Sequence, residues 1–200
     1  MSISVNSIAP PPTVLQQVAT AINAVNNETP TRDVVLDPSN LLLGYKTVNK
    51  SFGGIFVNGN TTSTVITAAS TMYLFQNSGL QLNTLSSNFS LSAGASPALS
   101  SRLTYNGSAS CPFKISCNVT YLCAGANQQN VACALFQNGV LIPSSKQSSN
   151  TVNANFSKSL TMDVIVSMAP NDYVELYLSN TTASNNITCS DVNMTVVSLH

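Results

Sequence analysis

Five cysteines and one histidine carry the strongest intrinsic chemistry in this 200-residue chain. The histidine, His200, is the last residue, and we expect a frayed terminus there rather than the base that a catalytic nucleophile needs. The cysteines form no C-x-x-C pair, and with one histidine the known zinc-binding spacings are missing. The sequence therefore predicts no metal site. The cysteines are Cys111, Cys117, Cys123, Cys133 and Cys189.

Cys123 and Cys133 are the pair whose spacing suits a disulfide. If residues 124–130 loop back as a hairpin, a symmetric register sets the two cysteines opposite each other, close to disulfide reach. Cys117 and Cys123 lie about 20 Å apart along one strand and cannot bridge. The alternative, which we favour, is that Cys123 and Cys133 are reduced core thiols, because free cysteine is among the most buried residue types.

Four carboxylates in the C-terminal half are the candidates for acid–base chemistry. A glycosidase needs two of them facing each other across a sugar, and their spacing does not favour such a pair. Glu175 lies on the strand face opposite Val174 and Leu176, so we expect it to point to solvent or to an interface. No G-x-S-x-G, phosphate-binding glycine loop or D-x-D-x-D run occurs. We predict no catalytic residue and no cofactor, with a glycosidase as a minor alternative. The carboxylates are Asp163, Asp172, Glu175 and Asp191.

The composition limits the kinds of partner that the chain can bind. Charged residues make up 7% of the chain, against about 25% in an ordinary soluble domain. Seven basic and seven acidic residues cancel, so we expect no nucleic-acid partner. No apolar run approaches the roughly 20 residues of a membrane span, and we expect neither a span nor a signal peptide. A surface made polar by Asn, Ser and Thr suits a subunit covered by neighbours, or an extracellular surface.

Asn-X-Ser/Thr sequons are dense, as chance alone produces in a chain so rich in these residues. Without a secretion signal we expect no conventional glycosylation at them. The sequons begin at Asn27, Asn49, Asn60, Asn88, Asn106, Asn118, Asn155, Asn180, Asn186 and Asn193.

The elements that position these side chains are β-strands. From Phe113 to Cys123 every second residue is apolar, which predicts a central strand with one dry face. From residue 41 onward about eight to ten short strands follow at regular spacing with no helix between them. Asn138-Gly139 predicts a tight hairpin, and a change of apolar parity predicts a β-bulge near Ser190-Asp191. This pattern indicates an all-β protein, an antiparallel β-sandwich built as a single jelly roll over residues 41–200.

Residues 1–40 are predicted to form an N-terminal arm with one short helix at about 13–26. Thr13 is a suitable N-cap, and apolar residues recur at helical spacing behind it. We expect this stripe to anchor the chain on a partner. The anchor residues are Val14, Leu15, Val18 and Ile22.

The order of short motifs in the C-terminal half resembles that of jelly-roll, tumour-necrosis-factor-like virion proteins of tailed phages and large DNA viruses. The resemblance covers roughly residues 80–199, and it carries no catalytic residues. It implies a homo-oligomer located in the virion: a minor capsid protein, a pentameric vertex protein or a trimeric fibre head. The motifs are Leu103–Gly107, Phe113–Cys117, Phe136–Ile142, Asn171–Leu176, Ser179–Thr182 and Asn186–Thr188.

Two functional hypotheses follow from the resemblance. The first is a capsid or vertex (penton-type) subunit that assembles with copies of itself and docks on the major capsid protein. The second is a fibre head that binds host-surface glycans through polar loops at residues 144–154 and 181–185. The glycosidase remains a second alternative.

Overall fold

A computed structural model describes residues 32–36, 43–47, 50–79, 81–83, 85–93, 100–125, 128–151 and 156–199. The chain divides into two compact units, residues 1–49 and 50–200. In the first unit β1 (Arg32–Leu36) pairs antiparallel with β2 (Leu43–Thr47). The predicted helix at 13–26, with the anchor residues Val14, Leu15, Val18 and Ile22, lies outside the described residues.

The second unit is built from strands of 2 to 13 residues. Among its described residues, one turn of 3₁₀ helix, Pro143–Ser145, interrupts them. The strands are β3 (Phe52–Val57), β4 (Tyr73–Leu74), β5 (Gln81–Leu82), β6 (Phe89–Ala93), β7 (Ser100–Tyr105), β8 (Cys111–Cys123), β9 (Gln129–Gln137), β10 (Val140–Leu141), β11 (Gln147–Thr151), β12 (Lys158–Met168), β13 (Tyr173–Asn180) and β14 (Ile187–Ser198).

These strands form two antiparallel sheets. One has five strands in the order β12-β8-β14-β3-β5. The other has seven, in the order β10-β9-β13-β7-β6, with β11 beside β9 and β4 beside β13. The long strands β7, β8, β9, β12, β13 and β14 belong alternately to the seven-stranded and the five-stranded sheet, which is the connectivity of a jelly roll. The predicted fold class, an all-β antiparallel sandwich, is confirmed.

The core lies between the two sheets and is centred on β8. Every odd-numbered residue of β8 is buried and every even-numbered one is more exposed, as the sequence alternation predicts. At one end of the core the rings of Phe89, Tyr105 and Phe113 meet, with centroids 4.9–5.4 Å apart. Burying one such ring contributes roughly 2–3 kcal/mol, so this cluster is a main source of adhesion between the sheets.

Two local predictions are confirmed. Asn138 and Gly139 both have positive φ, 52° and 77°, and the turn they form sets Val140 opposite Gln137 in a tight β9–β10 hairpin. The β14–β8 register shifts between Cys189 and Asp191, where the sequence places the bulge. In both cases a signal carried by a few consecutive residues is sufficient to predict the geometry.

The hairpin that a Cys123–Cys133 disulfide would require does not form. Cys123 on β8 pairs with Ile187 of β14 in the five-stranded sheet, whereas Cys133 on β9 pairs with Leu178 of β13 in the other sheet. The chain crosses between the sheets here because the dry face of β8 needs a second layer to cover it. All five cysteines are free and buried.

Candidate functional site

The outward face of the five-stranded sheet is a ladder of small polar groups. The hydroxyl of Thr161 on β12 donates to Asn118 Oδ1 on β8 at 2.7 Å, and the hydroxyls of Ser159 and Thr120 lie 3.1 Å apart. The one ion pair described on this face, Lys114 Nζ to Asp163 Oδ1 at 3.8 Å, has both side chains 55% exposed. The two opposite charges cancel, so the pair leaves the face close to neutral. An exposed pair of this kind also contributes little to stability.

Beside this polar ladder lies an apolar area on β3 and β14, which we call the sheet patch. It consists of Phe52, Phe56, Val197 and Leu199. Their side chains are exposed by 39%, 42%, 47% and 49%. Val197 lies directly opposite Phe52 across the two strands. Phe56 lies four residues further along β3, opposite Asn193. Exposed apolar side chains grouped on the outside of a sheet mark an interaction site more often than singly scattered ones do.

The sheet patch continues across the sheet toward the opposite edge. Lys114 of β8 lies between Val197 of β14 and Ile165 of β12 in the ladder. Ile165 is 67% exposed. The aliphatic stem of a lysine can cover apolar surface while its ammonium group stays in water. One row of side chains therefore links β3 to β12.

A buried ion pair lies on the outward side of β13. Glu175 is 1% exposed, and its Oε1 accepts a hydrogen bond from Arg102 Nε of β7 at 2.7 Å. The Arg102 guanidinium lies 4.1 Å from the centroid of the Tyr173 ring. The hydrogen bond that Arg102 donates to Glu175 raises the pKa of Arg102 above its ordinary value, against the opposing effect of desolvation. The expectation that Glu175 points to solvent or an interface is corrected, because Arg102 satisfies it internally.

Asp172 is held in a turn rather than in a cleft. Its carboxylate accepts hydrogen bonds from Asn138 Nδ2 at 2.7 Å, Gln137 Nε2 at 2.9 Å and the backbone N–H of Ala169 at 2.8 Å. Desolvation raises the pKa of Asp172, but these three donors outweigh it and lower the pKa overall. Asp172 and Glu175 thus both act as internal acceptors, and the pKa of Asp172 is lowered, the opposite of the raised pKa that a glycosidase acid needs.

Two buried asparagines organise the loops at the opposite end of the sandwich. Asn180 Nδ2 donates to Gln129 Oε1 at 3.0 Å, and its Oδ1 accepts from the N–H groups of Thr182 and Ala183 at 3.0 Å each. Asn60 Nδ2 donates to the carbonyl of Cys189 at 2.9 Å in the same way. The 181–185 segment named in the glycan-head hypothesis is therefore held in place by Asn180.

The other predicted tip loop, residues 144–154, is largely regular structure. Residues 143–145 form the 3₁₀ turn, and β11 pairs with β9 from Gln147 opposite Cys133 to Thr151 opposite Gln129. The prediction of a loop is wrong here because an edge strand of Gln, Ser, Asn and Thr has no apolar alternation to reveal it. Residues 152–155 lie outside the described part.

Within the described ranges no helix has the length and apolarity to cross a membrane. The same ranges contain no group of three or more His, Cys, Asp or Glu side chains that could hold a metal ion.

Comparison with known proteins gives structural neighbours at low identity. The Eiger TNF of S. frugiperda is 11% identical with a TM-score of 0.46, over 75% of this chain and 94% of that chain. The PRD1 vertex protein P5 is 13% identical with a TM-score of 0.44, over 75% of this chain and 97% of that chain. No protein-family model matches the sequence, and no curated protein matches it. The jelly-roll assignment rests on the strand order described above.

Proposed function

We propose that the chain is a structural subunit of a virus particle, a minor capsid or vertex protein that acts by assembling with copies of itself. The observation that carries the self-assembly is the sheet patch, four exposed apolar side chains on the outside of a nearly neutral sheet. The order of sequence motifs supports the virion setting. Trimer and pentamer are the oligomers that the resemblance implies, and the major capsid protein is the further partner.

The physical case for self-contact lies in the balance of apolar surface and charge. A surface with few charges has little like-charge repulsion to oppose close packing of identical subunits. Removing the sheet patch from water stabilises a contact by roughly 25 cal/mol per Å² of apolar area. The surrounding hydroxyls and amides can hydrogen-bond across such a contact without the desolvation cost of charged groups.

The sheet patch is tested by placing a charge in it. Val197→Glu is expected to weaken self-association by about a hundredfold or more, because a carboxylate buried without a partner costs several kcal/mol. Val65→Glu is the matched control, since Val65 is 48% exposed and Val197 is 47% exposed, and Val65 lies outside the strands. Native mass spectrometry of both variants gives the oligomer number. A monomeric wild-type chain, or an unaffected Val197→Glu oligomer, contradicts the proposal.

The docking role of the N-terminal arm is a separate part of the proposal. Removal of residues 1–26, which carry Val14, Leu15, Val18 and Ile22, is expected to leave a folded sandwich that fails to enter particles. Particle incorporation is measured by quantitative mass spectrometry of purified virions. Incorporation at the wild-type level excludes the arm as the anchor.

A fibre head that binds host-surface glycans is the second candidate, favoured by a polar platform at the Asn180 end. Residues 67–71 are all exposed, and the backbone N–H of Ser70 donates to the carbonyl of Asn180 at 2.9 Å. This bond ties that loop to the 181–185 segment. Ala69→Arg together with Ser184→Arg should abolish glycan-array binding without changing the oligomer, whereas a wild-type chain that binds no glycan excludes the head.

A further inference from the structure

The edge strands of the two sheets differ in length and in regularity. An edge strand offers unpaired backbone groups to other chains, and proteins commonly shorten, bulge or charge such strands. Among the described edge strands, β4, β5 and β10 have two residues each and β11 has five. β6 has five residues and a register shift between Ser92 and Ala93. β12 is the exception, with eleven residues paired to β8 without a shift, no proline, and its one lysine at the first position.

The odd-numbered residues of β12 direct their backbone groups away from β8, at an edge where β11 and the 3₁₀ turn of the other sheet lie beside part of β12. Ser167 is opposite Pro112, whose carbonyl accepts from Leu199 N–H on the far side of β8. Because the Pro112 carbonyl points toward β14, Ser167 and Pro112 are a non-hydrogen-bonded pair of the β12–β8 ladder. The backbone N–H and C=O of Ser167 therefore point away from β8. The carbonyl of Ser167 accordingly accepts from Gln137 Nε2 at 2.8 Å. By the alternation of the ladder, Thr161 also presents its N–H and C=O outward.

We propose that β12 pairs antiparallel with β12 of a second copy, about a two-fold axis at Thr161, to form one continuous sheet through two subunits. This inference rests on the proposed self-assembly and identifies one of its contacts. Identical edges related by a two-fold axis pair antiparallel, so residue 161 lies opposite itself and residues 158–164 face residues 164–158.

The registers with the two-fold axis at Asp163 or at Ile165 are less favourable than the register at Thr161. A two-fold axis at Asp163 would set two carboxylates opposite each other, which is unfavourable. An axis at Ile165 would place Ser167 inside the contact, where Gln137 already occupies its carbonyl. An axis at Thr161 instead sets Asp163 opposite Ser159.

The Thr161 register also covers apolar surface. Exposed apolar residues lie at both ends of the paired segment: Phe156, 58% exposed, precedes β12 by two residues, and Ile165, 67% exposed, directly follows the overlap. The contact is continuous with the sheet patch through Lys114. Seven paired residues span about 23 Å along one strand edge. The surface area that such a narrow strip buries is smaller than the area of a standard stable interface. The edge contact is therefore too small to form a stable dimer alone, and it links oligomers whose subunits the sheet patch already holds.

Cysteine crosslinking of the full chain tests the register. A mixture of Ser159→Cys and Asp163→Cys chains should form a disulfide-linked pair under mild oxidation, because those positions are opposite each other. Each variant alone should not crosslink, since its two copies are about 13 Å apart. The native cysteines are buried and do not compete. A crosslink that instead forms between Asp163→Cys and Ser167→Cys overturns the Thr161 register.

Proline substitution tests the backbone pairing independently. Thr161→Pro removes an outward N–H without touching the β8 ladder, a position where sheets tolerate proline. It deletes two hydrogen bonds per two-fold contact and should weaken the association by about thirtyfold in sedimentation velocity. Ser167→Pro, outside the overlap, is the control and should change nothing, and circular dichroism checks that both variants fold.

The outcomes separate this inference from the proposed function. An oligomer that persists unchanged in Thr161→Pro and gives no Ser159–Asp163 crosslink overturns the edge contact alone. A wild-type chain that stays monomeric at all concentrations overturns both.

Discussion

At the scale of single residues, the most demanding group is the Glu175 carboxylate. A charge with 1% exposure is tolerated because Arg102 pairs with it and Tyr173 supports the guanidinium. The sequence shows correctly that Glu175 lies on the outward side of β13. It cannot show that this side is covered, because the partner is 73 residues away and strand parity carries no information about the neighbouring strand.

Replacing Arg102 should therefore cost more than the loss of one hydrogen bond. Arg102→Leu leaves the Glu175 carboxylate buried without its cation, with only a long hydrogen bond of 3.5 Å from the Tyr177 hydroxyl, and we expect the free energy of unfolding to fall by about 3 kcal/mol. The double variant Arg102→Leu/Glu175→Leu should recover most of that loss, since no charge then remains buried. Urea denaturation measures both values. The exposed pair supplies the control, because Lys114→Ala should cost less than about 1 kcal/mol. Equal losses in the single and double variants would show that Arg102 acts by packing.

Asp172 should make stability depend on pH in the acid range. Its folded pKa is lowered by three donors relative to an unfolded value of about 3.9. The stabilisation is therefore complete above about pH 4 and is lost as the pH falls through the folded pKa. Asp172→Asn should be less stable than the wild type at pH 7 but should lose less between pH 5 and pH 2, as followed by urea midpoints. Asp163→Asn controls for the loss of one negative charge. An unchanged acid slope in Asp172→Asn would rule out this role.

At the scale of elements, the sequence predicts what is local and misses what is not. The alternation of β8, the Asn138-Gly139 turn and the bulge after Cys189 each follow from a few consecutive residues. β11 is missed because its Ser and Asn side chains leave no apolar pattern. The sequence leaves open whether β8 and β9 pair as a hairpin. Strands that are neighbours in sequence can pair or cross between sheets, and only the burial of the whole β8 face decides between these arrangements.

The approach of β3 to β6 depends on one glycine. A Cβ atom at Gly53 would lie 2.6 Å from Phe89 Cβ, an atom fixed close to its own backbone. Gly53→Ala should therefore force the two strands apart and destabilise the fold by about 1–3 kcal/mol. Gly59→Ala is the control for the residue type, because Gly59 has open space around it and only its φ of +68° opposes a side chain. A Gly53→Ala variant with wild-type stability would mean that Phe89 can move.

At the scale of the whole molecule, the exposure of the sequon asparagines shows which parts of the surface could carry a glycan. Asn60 and Asn180 are 3% and 0% exposed and hold the loops at one end. Asn118 and Asn193 are exposed and lie opposite each other on the outward face of the five-stranded sheet, next to the sheet patch. A glycan at either of these two sites would cover the surface that the proposed self-assembly requires.

Secretion of the chain from a glycosylating host therefore gives a test of both surfaces at once. Folded material should carry no glycan at Asn60 or Asn180, because a modified amide could not make the buried hydrogen bonds. Chains modified at Asn118 or Asn193 should remain folded but monomeric, and enzymatic removal of the glycan should restore the oligomer. Site-resolved mass spectrometry and native mass spectrometry give the two readouts, with Asn106, an exposed sequon on a turn, as the control. An oligomer that persists with glycans at Asn118 and Asn193 would place the self-contact on another surface.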